Sequence, residues 1–213
     1  MSELEFKYSS DQEHQTAAVD AVCDLFRGQE FMSSEFVAAV GRRGTIEEGQ
    51  VLEVGHANGL RVSARQLEEN LHAVQEENSL PRTTVLTDGH LRDFTVEMET
   101  GTGKTYVYIR TIYELNRRYG LTKFVIVVPS VAIREGVKKS FESTKRHFEG
   151  LYDRTPLEFF VYDSKDMGPV GNFATSSSIQ VMVINIGAFN KELDSDERKG
   201  VTNIFHRPSE RLI

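Results

Sequence analysis

Residues Met98-Glu99-Thr100-Gly101-Thr102-Gly103-Lys104-Thr105 have the types and spacing of a loop that cradles phosphate. Gly101 and Gly103 permit backbone conformations and a close approach that a Cβ would block, so successive N–H groups can turn inward around an anion. Thr100 and Thr102 complete the loop. Lys104 then brings a point charge suited to the β and γ phosphates of a nucleotide, and the Thr105 hydroxyl stands where it would ligate Mg²⁺. Lys104 and Thr105 are accordingly the expected catalytic pair, and ATP with Mg²⁺ the expected ligand. The general pattern places Gly at the first position, where this chain has Met98, so the departure leaves the phosphate-cradling half intact. An ordinary Gly/Thr turn would use similar residues. A Gly-Lys-Thr triplet between a strand pattern and a helix pattern, however, is the context the motif requires, and the positive end of that helix adds to the anion site.

Two further positions carry candidate chemistry. Gln15 sits in an upstream amphipathic stretch, and a Gln amide can both give and take a hydrogen bond at the edge of adenine. Pro129 and Ser130 end an apolar run, and Ser130 with the amides of a following helix could hold a backbone phosphate. Read from position alone, Gln15 is equally a surface residue and Ser130 a plain N-cap. A phosphate loop does not choose among phosphoryl-transfer classes. A small-molecule kinase is disfavoured, because no arginine-rich acceptor lid is visible. A stand-alone ATP-binding regulatory module is the rival of a different kind.

The elements that must position these groups follow from periodicity. Asp11 to Phe26 places Ala18, Val22, Leu25 and Phe26 at helical spacing, with Ser10 or Asp11 as N-cap and Gly28 past the end. Gln50 to Val54 and Leu60 to Val62 suggest short strands turning at Asn58-Gly59. Ser63 and Gln66 form a capping-box pattern, and Leu67, Leu71 and Val74 carry a helix to about Asn78, before Pro81. From Phe94 strands and helices alternate. Phe94 to Met98 reads as a strand; Tyr108, Ile112, Leu115 and Tyr119 line a helix closed by Arg117, Arg118 and Gly120. Phe124 to Val128 reads as a strand buried on both faces. Ser130 caps a helix with Ile133, Val137, Phe141 and Phe148 on its buried stripe. Leu157 to Tyr162 and Ile179 to Ile186 supply two more strands. Such alternation implies right-handed βαβ units in a parallel α/β sheet. The expected divisions are 1–28, an N-terminal helix; 29–90, a small α+β insertion; and 91–213, the main α/β domain.

Composition limits the partners. The 213 residues include 39% hydrophobic and 27% charged ones, five prolines and one cysteine, Cys23. That is the profile of a folded globular chain without internal disulfides. No apolar run approaches the ~20 residues that span a bilayer, and the N-terminus opens acidic and polar, so no membrane partner and a cytoplasmic location are expected. The formal charge of −7 argues against strong autonomous binding to nucleic acid. A local basic surplus lies at Arg134, Lys138, Lys139, Lys145 and Arg146.

A family resemblance narrows the choice. The run VEMETGTGKTYVYIRTIYELNRRYGLTKFVIVVPSVAIREGVKKSFE from Val96 to Glu142, YDSK at 162–165 and VMVINIGAFN at 181–190 closely resemble the Res subunit of type III restriction-modification enzymes. FKY at 6–8, HQTAAVDAV at 14–22 and LFRGQ at 25–29 look like the N-terminus of that family. The resemblance implies a RecA-like P-loop NTPase domain in an ATP-dependent DNA translocase and endonuclease, partnered by DNA and by the Mod subunit. It makes Thr100 to Thr105 the nucleotide motif, Gln15 an adenine reader, and Pro129, Ser130 and Arg134 part of the DNA track. It also implies a strand ending in Asp-Glu that holds Mg²⁺ and aligns water. No apolar strand here ends so, and Asp163, followed by Ser164, is a poor substitute. The resemblance places that motif beyond Ile213, so these residues are expected to bind ATP without efficient hydrolysis.

Overall fold

The structure is a computed structural model, described for residues 8–32, 34–40, 51–83, 93–166 and 168–188. Phe6 and Lys7 of the opening motif, Gln50, and Phe189 and Asn190 lie outside the described residues. The chain forms two compact units, one drawn from within Met1–Met32, Leu60–Gly120 and Ser140–Arg154, the other from within Ser33–Gly59, Leu121–Lys139 and Thr155–Ile213. Residues of the 29–90 segment contribute to both. No helix among the described residues is long and apolar enough to cross a membrane.

The second unit holds the parallel sheet. Strands β3 (Lys123–Val128), β4 (Leu157–Val161) and β5 (Ile179–Asn185) pair in the order β3-β5-β4, all parallel. The alternation of strands and helices therefore reads correctly as α/β. Strand β5, flanked on both sides, is buried from Ile179 to Ile184. The expected burial of β3 on both faces does not hold. It has one described neighbour, and Val125 and Val127, on one face, are 43% and 46% exposed. Helix α5 (Gly168–Thr175), which hydrophobic spacing did not suggest, packs on β5 and on strand β2 (Val51–Ala57).

Strands β1 (Ser34–Val40) and β2 (Val51–Ala57) form an antiparallel pair, with Ser34 opposite Ala57 and Val40 opposite Val51. The expected hairpin around Asn58-Gly59 is thus displaced, and Leu60 to Val62 form no strand. Asn58 is used differently. Its Nδ2 donates to the Lys123 carbonyl at 2.7 Å, and its Oδ1 accepts from the Thr122 and Lys123 amides at 2.8 and 2.9 Å. One side chain staples the end of β2 to the start of β3, satisfying backbone groups that a turn would otherwise pair.

The first unit is helical. Helix α1 (Glu13–Asp24) has Gln12 as N-cap residue without a side-chain cap, so neither Ser10 nor Asp11 caps it: the Ser10 hydroxyl donates instead to the Asp11 carboxylate. Its buried stripe is Gln15, Val19 and Cys23, one step round from the expected Ala18 and Val22. Val19 and Cys23, at 2% and 0% exposure, are the apolar members of this stripe, and Gln15 is its polar one. Helix α2 (Ala64–Glu77) agrees with its pattern, and Ser63 Oγ accepts from the Gln66 amide at 3.2 Å. Asn70, buried on α2, donates to the carbonyls of Leu25 and Arg27 at 2.9 and 2.8 Å, closing the C-terminus of α1. Helix α3 (Lys104–Tyr119) ends at Gly120, as expected. Helix α4 (Val131–Leu151), whose residues to Lys139 belong to the second unit and whose later ones belong to the first, buries Val137, Phe141 and Phe148, but leaves Ile133 49% exposed. Tyr113 stacks on Phe148 and Tyr152 at centroid separations of 5.3 and 4.8 Å.

The strand expected at Phe94 to Met98 is absent. Its alternation is real, but a strand exists only where a neighbour pairs with its backbone, and none of the described strands does so.

Two tests follow from this packing. Gly120 has φ +75°, and a Cβ there would sit 2.6 Å from the Met32 carbonyl oxygen, whose residue also donates its amide to Tyr119 O at 3.2 Å. Gly120→Ala is expected to cost at least ~2 kcal/mol by urea unfolding, adding a backbone collision to the left-handed penalty. A loss within the ordinary scatter of surface substitutions would refute it. Lys123 donates to the Ser176 carbonyl and lies over the Phe173 ring at 5.7 Å. Burial lowers its ammonium pKa to about 8 from 10.5. Between those values the unfolded chain holds more protons than the folded one, so this group makes stability rise with pH across the window. Lys123→Met should flatten that rise; equal pH profiles for parent and variant would count against a buried ammonium.

Candidate nucleotide-binding site

The glycine-rich loop is shaped by two left-handed residues, Gly101 at φ +86° and Gly103 at φ +90°. A Cβ on Gly103 would collide with the Gln15 amide nitrogen, whereas one on Gly101 would meet nothing within 4 Å. Both positions therefore favour glycine, but for different reasons. Conformation alone selects it at Gly101, and conformation with close approach at Gly103.

Gly103 is also the N-cap of α3, with no side-chain cap. The first amides of a helix lack partners within it, and with no capping side chain they remain available to an anion. Lys104 and Thr105 form the first residues of α3, Lys104 exposed and Thr105 half-buried. Lys104 Nζ donates to the Glu99 carbonyl at 2.9 Å, and Thr102 Oγ1 donates to the same oxygen at 2.7 Å. Thr100 lies exposed at the turn. Glycine conformation, an uncapped helix start and a flexible ammonium together suit a phosphate chain.

Helix α1 closes the loop from one side. Gln15, 7% exposed, donates Nε2 to the Thr102 carbonyl at 3.0 Å, and His14 Nε2 lies 3.2 Å from that same oxygen. The structure thus brings Gln15 together with Thr102, Gly103 and Lys104 in one unit. His14 was not legible beforehand: it lies 88 residues from Thr102, and no spacing rule links them.

The placement of α1 against α3 is itself electrostatic. Arg118 donates to Glu114 at 2.9 Å, to Asp20 at 2.5 Å and to Asp24 at 3.4 Å, so one guanidinium joins carboxylates from both helices. Arg117 and the Tyr152 hydroxyl also donate to Glu114, at 2.7 and 2.9 Å. Burial alone would raise the Glu114 carboxyl, but hydrogen bonds from Arg117, Tyr152 and Arg118 outweigh it and hold the group below the usual carboxylate range. Tyr119 Oη donates to the Cys23 carbonyl at 2.9 Å, and Arg110 to Ser10 O at 2.8 Å. Cys23 itself is fully buried, and burial pushes its thiol up to about 12.

The expected DNA-track residues belong to the other unit. Pro129 follows the last residue of β3, and Ser130 Oγ accepts from the Ile133 amide at 3.3 Å, so the serine caps α4. Arg134 is paired with its neighbour Glu135, at 3.1 Å. Asp163 is tied into a turn, where its Oδ1 accepts from the Lys165 amide at 2.9 Å. Among the described residues, no group of three His, Cys, Asp or Glu side chains could hold a metal ion.

The match to the family model gives the RecA-like class of helicase-family domains, with which the parallel sheet agrees. The chain belongs to the family described as type III restriction enzyme, res subunit, whose model matches residues 11–206. It is similar to the type III restriction-modification enzyme EcoPI Res subunit of Escherichia phage P1, 31% identical across 97% of this chain and 22% of that protein. It is 29% identical to the EcoP15I Res subunit of Escherichia coli, across 93% of this chain and 21% of that protein. The StyLTI Res subunit of Salmonella typhimurium shares 49% identity over 73 residues, 33% of this chain and 7% of that protein. The chain thus spans about a fifth of the length of the first two relatives.

The cap at Ser130 can be measured apart from any ligand. Ser130→Ala should lower stability by about 1 kcal/mol, and Ser130→Asp, which keeps an acceptor, should restore most of it. Equal unfolding midpoints for all three proteins would show that the hydroxyl does not cap α4.

Proposed function

We propose that these residues are the ATP-binding part of a type III restriction enzyme Res subunit, a helicase-like motor that moves along DNA in company with a Mod subunit and an endonuclease activity. The observation that carries the reading is the Gly101-Thr102-Gly103-Lys104-Thr105 loop at the uncapped start of α3. Amides of the loop and of the first helical turn would surround the β and γ phosphates, with Lys104 leaving the Glu99 carbonyl to reach them. Thr105 would hold Mg²⁺, which neutralises charge on the transferring oxygens. In this reading Pro129, Ser130 and Arg134 meet the DNA backbone. The Ser130 oxygen accepts from a helix amide, so its hydroxyl proton remains free to donate to a phosphate. Arg134 would have to exchange Glu135 for that phosphate. Membership of the family and the lack of a membrane-spanning helix among the described residues support a cytoplasmic enzyme.

Binding and turnover should come apart in this chain. None of the described strands ends in an Asp-Glu pair: β3 runs into Pro129, β4 into Tyr162, Asp163 and Ser164, and β5 finishes at Asn185. In-line attack needs a placed water and charge compensation, and an arginine finger alone is worth ~10³–10⁵ in rate.

Lys104→Ala is expected to abolish MgATP binding by calorimetry while leaving the circular dichroism spectrum unchanged. The 213-residue parent should release phosphate barely above background, with or without duplex DNA. Unchanged affinity in the variant would remove the nucleotide reading, and DNA-stimulated turnover by the parent would show that a hydrolytic carboxylate is already present.

A further inference from the structure

Two consecutive side chains of α1 converge on one backbone oxygen of the loop. Gln15 Nε2 and His14 Nε2 lie 3.0 and 3.2 Å from the Thr102 carbonyl oxygen, an acceptor that can take two hydrogen bonds. The neighbouring glycines, at φ +86° and +90°, leave the Thr102–Gly103 peptide few steric constraints of its own. Its orientation is held by hydrogen bonds, from α1 through Gln15 and His14 and within the loop through Thr102 Oγ1 on Glu99 O. All described peptide bonds are trans, and in a trans peptide the carbonyl and the following N–H point in opposite directions. Drawing the Thr102 carbonyl toward α1 consequently turns the Gly103 amide away from α1.

We infer that His14 and Gln15 act as a pair of positioning residues that lock the Thr102–Gly103 peptide plane, presetting the Gly103 amide to donate to a nucleotide phosphate. The inference rests on the nucleotide reading above and deepens it. It also gives Gln15 a task that does not depend on the base, because one of its two amide hydrogens is donated to the loop. Its burial at 7% exposure and its contact with Gly103 agree with a part built into the loop. Thr102 is held at a second point, through Oγ1 on Glu99 O, so the residue cannot swing as a whole when one contact is lost. His14 is exposed and can be altered without opening the core.

The discriminating experiment compares ligands with and without a base. MgATP, MgGTP and Mg-tripolyphosphate are titrated into the parent, His14→Ala, His14→Gln, Gln15→Met and Lys104→Ala proteins, each checked by circular dichroism. A locked peptide predicts that His14→Ala and Gln15→Met weaken all three ligands by the same factor, about tenfold, as expected for one well-placed hydrogen bond. His14→Gln, which retains a donor, should recover most of the loss. The Gly103 amide cross-peak in ¹⁵N–¹H spectra should move in ligand-free His14→Ala and return in His14→Gln. Loss confined to MgATP would assign Gln15 to adenine and overturn the proposal, as would unchanged affinities or an unmoved Gly103 resonance. Should the parent bind none of the three ligands, the nucleotide reading itself falls, a result distinct from variants that match a binding-competent parent.

Discussion

The α1–α3 pairing in the first unit depends on Arg118. A single guanidinium reaches Glu114 on its own helix and Asp20 and Asp24 on α1, residues more than ninety positions earlier. Arginine suits this work, since a planar, permanently charged fork can serve several carboxylates at once. Its partners are themselves committed: Glu114 takes further bonds from Arg117 and Tyr152, and Tyr152 stacks on Tyr113. Charge pairing and aromatic packing thus form one network, in which Glu114 and Tyr152 are buried while Arg118, Asp20 and Asp24 keep contact with solvent. This network, with the buried Val19 and Cys23 and the bonds from Tyr119, Arg110 and Asn70, places α1 so that its first turn meets the glycine-rich loop.

Much of the fold was legible because the signals were local. The capping serine at Ser63, the left-handed glycine at Gly120, the proline after β3 and the parallel alternation of strands and helices all follow from short patterns. The failures occurred where a neighbour decides the outcome. Phe94 to Met98 alternates as a strand should, yet pairing is a property of two segments. Val125 and Val127 read as buried, but exposure depends on how many strands flank β3. Asn58-Gly59 has the composition of a hairpin turn. Its asparagine instead satisfies three backbone groups at the start of β3, a demand that is invisible until β3 is placed.

The same division applies to the site. Gly101, Gly103, Lys104 and Thr105 are contiguous, so the left-handed glycines and the helix start that their pattern implies could be read locally and are present. Gln15 was expected to read adenine and its bond to the Thr102 carbonyl was not foreseen, and His14 carried no signal. Both act on Thr102 across most of the intervening sequence. Net charge is similarly blunt. The value of −7 describes the whole chain, whereas Arg134 and Arg118 are each answered by specific carboxylates.

The single thiol has a practical consequence. Cys23 is wholly enclosed, and burial holds it in the unreactive protonated form. Maleimide chemistry would therefore pass it by in the folded protein. A cysteine introduced at an exposed position, such as Glu76 on α2 or Lys139 on α4, would be the site that accepts a dye or spin label. Distances and rotations in the protein can then be followed spectroscopically without first deleting the native residue and disturbing the core around it.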